Sequence, residues 1–453
     1  MSTTTTVADA RRPPKVSLRR TARPGLLAGG MYHVLPELLR ANGDVIDLSV
    51  PGFPLTALGH PDLVAEMMVR HQPKYRKHEL AIELVAGEPL ALPLLEGDEW
   101  RRVRLALNPH FTERSLAKVT GSMVEALTRH VDGWHDFVRD DQWIDLESEI
   151  ATAVMAGMLA AMFHSHPESR LLDDWVASAH QYGAYVVRRV ATTPLPAPVA
   201  RRVRGEKAGL SAMQFMMAEL DKMIAERLAS PRNDEPDILD VVLAMDFPGK
   251  GDYPYRRMRS ELMGLVFAGF ETTAEALSWT FAYLGRNPAE LLRAYEVVDT
   301  LGGNTPTYAD LPKLKYLRNC FDEAQRLQGA IANVRTARVE DEIGGYRIPT
   351  GSHVVFSPIG LQMDSRFWRS PESFIPERFD TDEINYNAFI PFSLGARKCM
   401  GSKLAYIEGV LTLAIILQRF RFQLRPGWNP KPALRVSTGL KKGLPVRLTA
   451  VAQ

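Results

Sequence analysis

Hydrophobic residues recur at helical spacing over most of the chain, above all from about Glu99 to Arg326. Two segments depart from this pattern. Residues 44–58 alternate loosely between apolar and polar positions, and residues 334–356 contain the turn residues Gly344 and Gly345 before a short extended stretch. The pattern therefore predicts a mainly helical protein with minor β elements, an α+β arrangement.

Two of the predicted helices are apolar on almost every face. The helix over Glu261–Leu284 should run through the interior, yet Glu271 and Thr272 lie at its centre. A carboxylate in such a place is unfavourable unless it is paired, hydrated or used in chemistry. The other helix is predicted from about Ser402 to Arg419 and begins directly after Cys399.

Composition narrows the class of protein. The chain has 453 residues, of which 45% are hydrophobic and 24% charged, as in soluble globular proteins. Its 55 basic and 53 acidic residues leave a charge of +2, so no overall basic field points to nucleic acid. The most apolar run, residues 411–417, has seven residues, well short of the roughly 18 that a membrane span requires. We predict a cytoplasmic protein without nucleic-acid partners or stable membrane insertion.

The chain shows no internal repeat and no break in composition. Residues 1–24 are rich in Thr, Pro and Arg and lack the apolar core of a secretory signal, which favours a flexible tail. Residues 25–453 are expected to form one domain. The two cysteines, Cys320 and Cys399, exclude a disulfide framework and favour a reducing compartment.

Cys399 is the first candidate for chemistry. A lone cysteine is usually a small buried apolar residue. Here Gly395 and Gly401 allow a tight loop that could approach a bulky group. The positive end of the following helix, together with Arg397 and Lys398, favours a thiolate, which acts as a nucleophile or a metal ligand. Neither a second cysteine nor a histidine cluster stands at the spacing of a zinc site.

Five segments resemble, in order, the signatures of the cytochrome P450 family. The cysteine segment resembles the family's haem-ligand loop, Phe392-x-x-Gly395-x-Arg397-x-Cys399-x-Gly401. The other four are Trp100-x-x-x-Arg104, Ala268-Gly269-Phe270-Glu271-Thr272-Thr273, Glu323-x-x-Arg326 and Pro376-x-Arg378. Together they span residues 100–401. The resemblance implies the cytochrome P450 fold, with a long central helix crossing the haem and small sheets at the periphery.

The resemblance also implies a cofactor, haem b, with Cys399 as the metal ligand. A thiolate ligand donates electrons that favour cleavage of a bound O–O bond, and the haem propionates need cationic partners. For Arg335, an ordinary arginine at a strand edge is the alternative. The implied cofactor-binding residues are Trp100, Arg104, Arg335, Phe392, Arg397, Cys399 and Gly401.

Three charged residues are expected to support the haem loop without taking part in chemistry. By themselves, Glu323 and Arg326 would be a weak surface pair at i,i+3. In the family such residues join an arginine, here Arg378, in a buried network.

Glu271 and Thr272 are the predicted catalytic residues. Reductive oxygen splitting consumes protons, and a hydroxyl beside an acid on an interior helix can order water and relay them. The alternatives are a threonine that bonds back to the preceding helical turn and a glutamate held in a salt bridge.

The chain departs from the family after Arg326, where relatives continue with Leu-x-Pro and this chain does not. The path of the following segment is therefore not predicted. Asn333 either contacts substrate or bonds its own backbone in a turn. The candidate substrate contacts are Ala268, Ala332, Asn333 and Thr438.

Apolar residues dominate the expected pocket segments and favour a hydrophobic small molecule, such as a terpenoid, a fatty acyl chain or a polyketide of secondary metabolism. With no fused redox segment apparent, electrons are expected from a ferredoxin and its reductase. The basic residues expected to bind an acidic ferredoxin are Arg101, Arg102, Lys398 and Lys403. The leading hypothesis is a monooxygenase. Oxidative coupling or desaturation, and a non-catalytic haem sensor, are the alternatives.

Overall fold

The computed structural model describes residues 10–16, 31–77, 88–192, 205–231, 236–328, 333–381, 383–435 and 437–451. Its α-helices in chain order are α1 Met31–Asn42, α2 Pro61–Ala65, α3 Gly97–Leu107, α4 Glu113–Asp132, α5 His135–Arg139, α6 Leu146–Phe163, α7 Ser169–Ala191, α8 Glu206–Ala229, α9 Ile238–Leu243, α10 Tyr253–Arg286, α11 Pro288–Asp299, α12 Lys315–Leu327, α13 Pro358–Gln362 and α14 Ser402–Arg419. Its strands are β1 Val45–Asp47, β2 Leu55–Leu58, β3 Tyr75–Lys77, β4 Trp143–Asp145, β5 Asn333–Ala337, β6 Asp341–Ile343, β7 Tyr346–Ile348, β8 His353–Phe356, β9 Phe420–Leu424, β10 Pro432–Leu434, β11 Thr438–Leu440 and β12 Pro445–Ala450.

The chain divides into two units. The first comprises residues 1–81 and 325–399, and the second residues 82–324 and 400–453. The described elements are mostly helices, accompanied by small sheets. The predicted α+β class is therefore confirmed.

A five-stranded sheet organises the first unit, with strand order β1-β2-β8-β5-β3. Only β2 and β8 in this sheet run parallel. Successive strand residues face opposite sides of a sheet, and both sides are buried here. Ile46 and Val355 pack with apolar residues of α1, whereas Val45 and Val354 belong to a separate apolar cluster.

The two predicted β segments are confirmed. Residues 44–58 supply β1 and β2, and residues 334–356 supply most of β5 together with β6, β7 and β8. Strands β6 and β7 form an antiparallel hairpin. Gly344 and Gly345 connect them with φ angles of +58° and +80°, which suit the turn that matches the twist of a hairpin.

Part of the predicted tail is bound to the first unit. The Val16 N–H donates to the Asp47 carbonyl at 2.9 Å, and the Asp47 N–H donates to the Pro14 carbonyl at 2.8 Å. Arg11 accepts a hydrogen bond from the Arg347 N–H at 2.9 Å. Residues 10–16 thus lie along β1 and β7 and do not form a free tail, while the rest of 1–24 lies outside the described residues.

Long helices dominate the second unit. Helix α10 has 34 residues and begins eight residues earlier than the sequence pattern predicted. It packs against α6, α8 and α14. Helix α14 has the predicted bounds.

Helix α6 is more apolar than the sequence pattern indicated. Its 18 residues have a mean hydropathy of 1.4, and it is the one helix among the described residues that is long and apolar enough to cross a membrane. Its apolar character was not predicted, because small residues interrupt its apolar run. However, 89% of the helix is buried, where it packs against α4 and α10.

Candidate active site

Cys399 ends a short loop in the first unit that backbone hydrogen bonds hold closed. The Lys398 N–H donates to the Gly395 carbonyl at 3.0 Å, and the Cys399 N–H donates to the Phe392 carbonyl at 2.9 Å. Cys399 is exposed, whereas Cys320 is buried. Cys399 is therefore not the buried apolar residue that a lone cysteine usually is.

Gly395 and Gly401, the two glycines of this motif, have different surroundings. Gly395 has a φ of +66°, and a Cβ there would overlap the Met68 carbonyl oxygen. Backbone cannot yield to such an overlap, so the loop itself requires glycine. Gly401, at the start of α14, has a φ of −79°. Among the described residues, Phe111 alone comes within 4.0 Å of a Cβ placed there, which leaves space for a group that is not protein.

Arg326 and Arg378 hold the segment that precedes the loop. The fully buried Arg326 guanidinium donates to the carbonyl oxygens of residues 362, 371 and 373 at 2.8, 2.8 and 3.1 Å. Arg378 donates to those of residues 369 and 370 at 3.0 and 3.4 Å. Both guanidinium groups lie over the Trp368 ring, 5.2 and 5.9 Å from its centroid. Each arginine therefore organises backbone, in keeping with the predicted supporting role.

Four further residues of the prediction, Glu323, Arg335, Trp100 and Arg104, lie on helices or strands. Glu323 is fully buried on α12. Arg335 lies on β5, between β8 and β3, so it is not at a strand edge. Trp100 and Arg104 are both half-buried and stand one turn apart on α3. Their contacts with a haem stay predictions, as do those of Phe392 and Arg397, which are also half-buried.

Helix α10 presents a row of small residues. Ala268 and Thr272 are exposed in the middle of an otherwise largely buried helix, and Gly264 and Ala276 extend the same row half-buried. Residues four apart share a helix face. The Thr272 hydroxyl donates to the Ala268 carbonyl at 3.0 Å, so this hydroxyl does bond back to the preceding turn. The row leaves the helix surface flat and accessible.

Glu271 lies beside this row but is buried. Its exposure is 1%, and neither carboxyl oxygen has a hydrogen-bond partner. Among the described residues it forms no salt bridge, so that alternative is not found. Burial raises the pKa of Glu271 to about 7, partly opposed by Arg435. A carboxyl with such a pKa exchanges protons near neutral pH.

A group of charged residues next to Glu271 was not predicted from the sequence. Arg435 lies 3.2 Å from Glu147 and 3.7 Å from Glu275, which follows Glu271 by one helical turn. The Leu440 N–H donates to Glu147 at 2.9 Å. A second carboxyl at i+4 on an apolar helix was the available signal. Arg435 could not be found in this way because it is distant in sequence.

The candidate substrate contacts fall in different places. Asn333 is half-buried at the start of β5, where it pairs with Phe356 of β8. Thr438 begins β11, and its carbonyl accepts a hydrogen bond from the Trp279 indole at 2.7 Å. Ala332, like the rest of residues 329–332, lies outside the described residues.

Comparison with known protein families shows which family the chain belongs to. The Cytochrome P450 model matches residues 24–448. The chain belongs to the cytochrome P450 family. Cyclooctatin synthase from Streptomyces melanosporofaciens is 30% identical to this P450, over 96% of this chain and 97% of its own. Carotene epsilon-monooxygenase from Arabidopsis thaliana is 28% identical, over 88% and 78% of the two chains.

A second Streptomyces melanosporofaciens relative, cyclooctat-9-en-7-ol 5-monooxygenase, is 27% identical over 86% of this P450 and 84% of its own length. The protein is therefore a cytochrome P450 monooxygenase with haem as its cofactor. The donor set fits this cofactor, because an exposed cysteine ends a closed loop. Within the second unit, the space beside Gly401 and the flat row on α10 are each compatible with a flat group of this kind.

Proposed function

We propose that this P450 hydroxylates a hydrophobic, terpenoid-like molecule with electrons from a separate ferredoxin and ferredoxin reductase. The observation that carries the proposal is the open face of α10, which offers small side chains and one hydroxyl beside a buried acid. The names of the relatives support the substrate class, since cyclooctatin and carotene products are terpenoids. A cytoplasmic role in secondary metabolism belongs to the same proposal.

In the proposed site, Cys399 is the metal ligand. A thiolate-bound haem supplies the oxygen-activating chemistry. Gly401 leaves room for the macrocycle, as the space at its Cα allows. The propionates would be bound by basic and indole N–H donors, which carboxylates prefer. These donors are Trp100, Arg104, Arg335 and Arg397.

Thr272 and Glu271 are proposed to move protons. The exposed Thr272 hydroxyl can hold a water molecule at the open face of α10. Glu271, with a pKa of about 7, is present in both protonation states near neutral pH and can therefore accept and return a proton.

Substitution tests the two residues separately. We expect Glu271→Gln and Thr272→Ala to keep the reduced carbonyl spectrum and substrate binding while product formation falls about tenfold or more. Thr273→Ala is the matched control, because Thr273 also bonds back to its preceding turn, at 3.1 Å, but is buried. Equal effects of the two threonine variants would contradict the assignment.

Ligand screening and labelled dioxygen test the reaction. Terpenoids should shift the haem optical spectrum more than polar aromatic or peptide-like compounds, and the product should retain one labelled oxygen atom. A product without label would instead indicate coupling or desaturation. No turnover with any electron donor would indicate a non-catalytic haem protein.

Basic residues of the second unit are proposed to bind the ferredoxin. Arg101 and Lys403 are exposed, although each already pairs with an acidic neighbour, Asp98 at 3.0 Å and Glu113 at 2.9 Å. Exposed pairs of this kind are weak, so an acidic partner can displace them.

We expect Arg101→Glu with Lys403→Glu to slow reduction by ferredoxin, most strongly at low salt. Arg129→Glu is the control, since Arg129 forms a similar exposed pair on α4. An unchanged rate at every ionic strength would contradict this docking surface.

A further inference from the structure

The acidic face of α10 continues for one turn beyond Glu271. Glu275 is 4% exposed, and neither of its carboxyl oxygens has a hydrogen-bond partner. One turn further along, the Trp279 indole donates to the Thr438 carbonyl at 2.7 Å. This face of α10 therefore packs against strand β11. The unpartnered carboxyl groups of Glu271 and Glu275 are neighbours on the same buried face.

The cation nearest to Glu275 is already paired elsewhere. Arg435 is 3.7 Å from Glu275, longer than a hydrogen bond. Its guanidinium lies 3.2 Å from both carboxyl oxygens of Glu147, and Glu147 also accepts the Leu440 N–H at 2.9 Å. Arg435 thus faces two buried carboxyl groups and lies closer to that of Glu147 than to that of Glu275.

Close packing maintains this arrangement. A Cβ on Gly439 would lie 2.8 Å from both the Glu275 Oε1 and the Arg435 Cζ atoms. The charged groups around Glu275 are Glu271 on its own helix, Arg435 on the β10–β11 turn and Glu147 on α6. Asp145 and His180 lie beyond them and interact with Arg435 or Glu147. His180 adds no cation at neutral pH, since burial lowers its pKa to about 4.

An ionised carboxylate without hydrogen bonds is unfavourable in such a place. Glu275 therefore holds a proton at neutral pH. Burial raises its pKa well above the usual range, and a negative charge on Glu271 raises it further. The Cβ atoms of residues four apart on a helix are about 5–6 Å from each other, so a side-chain rotation or one bridging water molecule would bring the two carboxyls within reach of proton transfer.

We propose that Glu275 is a second proton-holding carboxyl that returns a proton to Glu271 after Glu271 has released one. The proposal rests on the proton role proposed for Glu271. In this step the O–H bond of Glu275 breaks as an O–H bond forms on Glu271, and the negative charge moves toward Arg435. The Arg435 side chain is 24% exposed, so solvent protons can reach Glu275 again from that side.

The test compares Glu275→Gln, Glu271→Gln and the double variant in the haem-loaded enzyme. We expect Glu275→Gln to keep the carbonyl spectrum and ligand binding, to lower product formation about tenfold, and to increase the solvent isotope effect. The double variant should be no slower than Glu271→Gln, because both residues act in one route. Multiplied losses would overturn the proposal.

A second readout does not depend on turnover. Infrared spectra at pH 8 should show a protonated carboxyl band in the wild type that Glu275→Gln removes and Glu275→Asp shifts. Glu275→Asp should also recover part of the activity, and it serves as the test if the glutamine variant does not fold. A band unaffected by both variants would overturn the proposal.

Glu261→Gln is the matched control. Glu261 is fully buried on the same helix but pairs with Arg257 at 2.8 Å, so its substitution should leave the band and the isotope effect unchanged. Identical changes in this variant would overturn the proposal by showing a general packing effect. Full activity of Glu271→Gln would instead contradict the proposed function, and the infrared band would still report whether Glu275 holds a proton.

Discussion

The cysteine loop of the first unit and the acidic face of α10 in the second are built in opposite ways. In the loop, backbone hydrogen bonds close the turn and Gly395 fits against the Met68 carbonyl. On α10, Glu271 and Glu275 are buried with unpartnered carboxyl oxygens. The first region stabilises a geometry through satisfied contacts. The second region contains buried carboxyl groups that lower the stability of the fold. Such groups are typical of sites where proton transfer is part of the function.

Substitution of the two cysteines should give the largest effect on the loop. Cys399→Ser removes the exposed sulfur and should abolish both the thiolate-type spectrum of the reduced carbonyl complex and activity. Cys320→Ser is the control, since its sulfur is buried on α12, and it should keep the spectrum at a modest cost in stability. A thiolate-type spectrum in Cys399→Ser would refute the assigned ligand.

Substitution of the arginines tests whether satisfied contacts hold the first region. Arg326→Gln removes donors from three carbonyl oxygens and should lower the free energy of unfolding by about 4 kcal/mol. Arg378→Gln should cost about 1 kcal/mol, because Arg378 is only half-buried. Denaturant titration measures both. Equal losses of unfolding free energy would show that the burial of Arg326 does not increase its contribution to stability.

Substitution of Gly395 and Gly401 tests the difference between a glycine required by protein contacts and one required by the cofactor. Gly395→Ala should cost about 3 kcal/mol, because alanine is strained at this φ and would overlap the Met68 carbonyl. Gly401→Ala should change the unfolding free energy little, since protein atoms leave space there, yet lower the haem content. Normal haem content in Gly401→Ala would contradict the place assigned to the cofactor.

The acidic face predicts a smaller effect that depends on pH. Between pH 4.5 and about 7 the folded protein retains a proton on Glu271 that the unfolded chain has lost. Rising pH therefore destabilises the wild type through this window, by up to about 3 kcal/mol. Glu271→Gln should reduce this dependence by the contribution of Glu271 in thermal unfolding of the haem-loaded protein. Parallel pH curves for the two proteins would contradict the raised pKa.

Local pattern explains why much of the fold and site was predictable. The bounds of α14 follow from an apolar run that begins after a glycine, and the β6–β7 hairpin follows from two adjacent glycines. The apolar character of helix α6 on every face was not recognised, because its small residues weaken the apolar signal.

Residue types and their near spacing were enough to predict the family, the haem cofactor and a glutamate inside an apolar helix. The three-dimensional structure was needed to show that Glu275 has no hydrogen-bond partner and that Arg435 lies closer to Glu147 than to Glu275. It also decided that Gly395 is required by the loop while Gly401 is not. Burial and charge pairing join residues more than a hundred positions apart, and no local pattern encodes such distances.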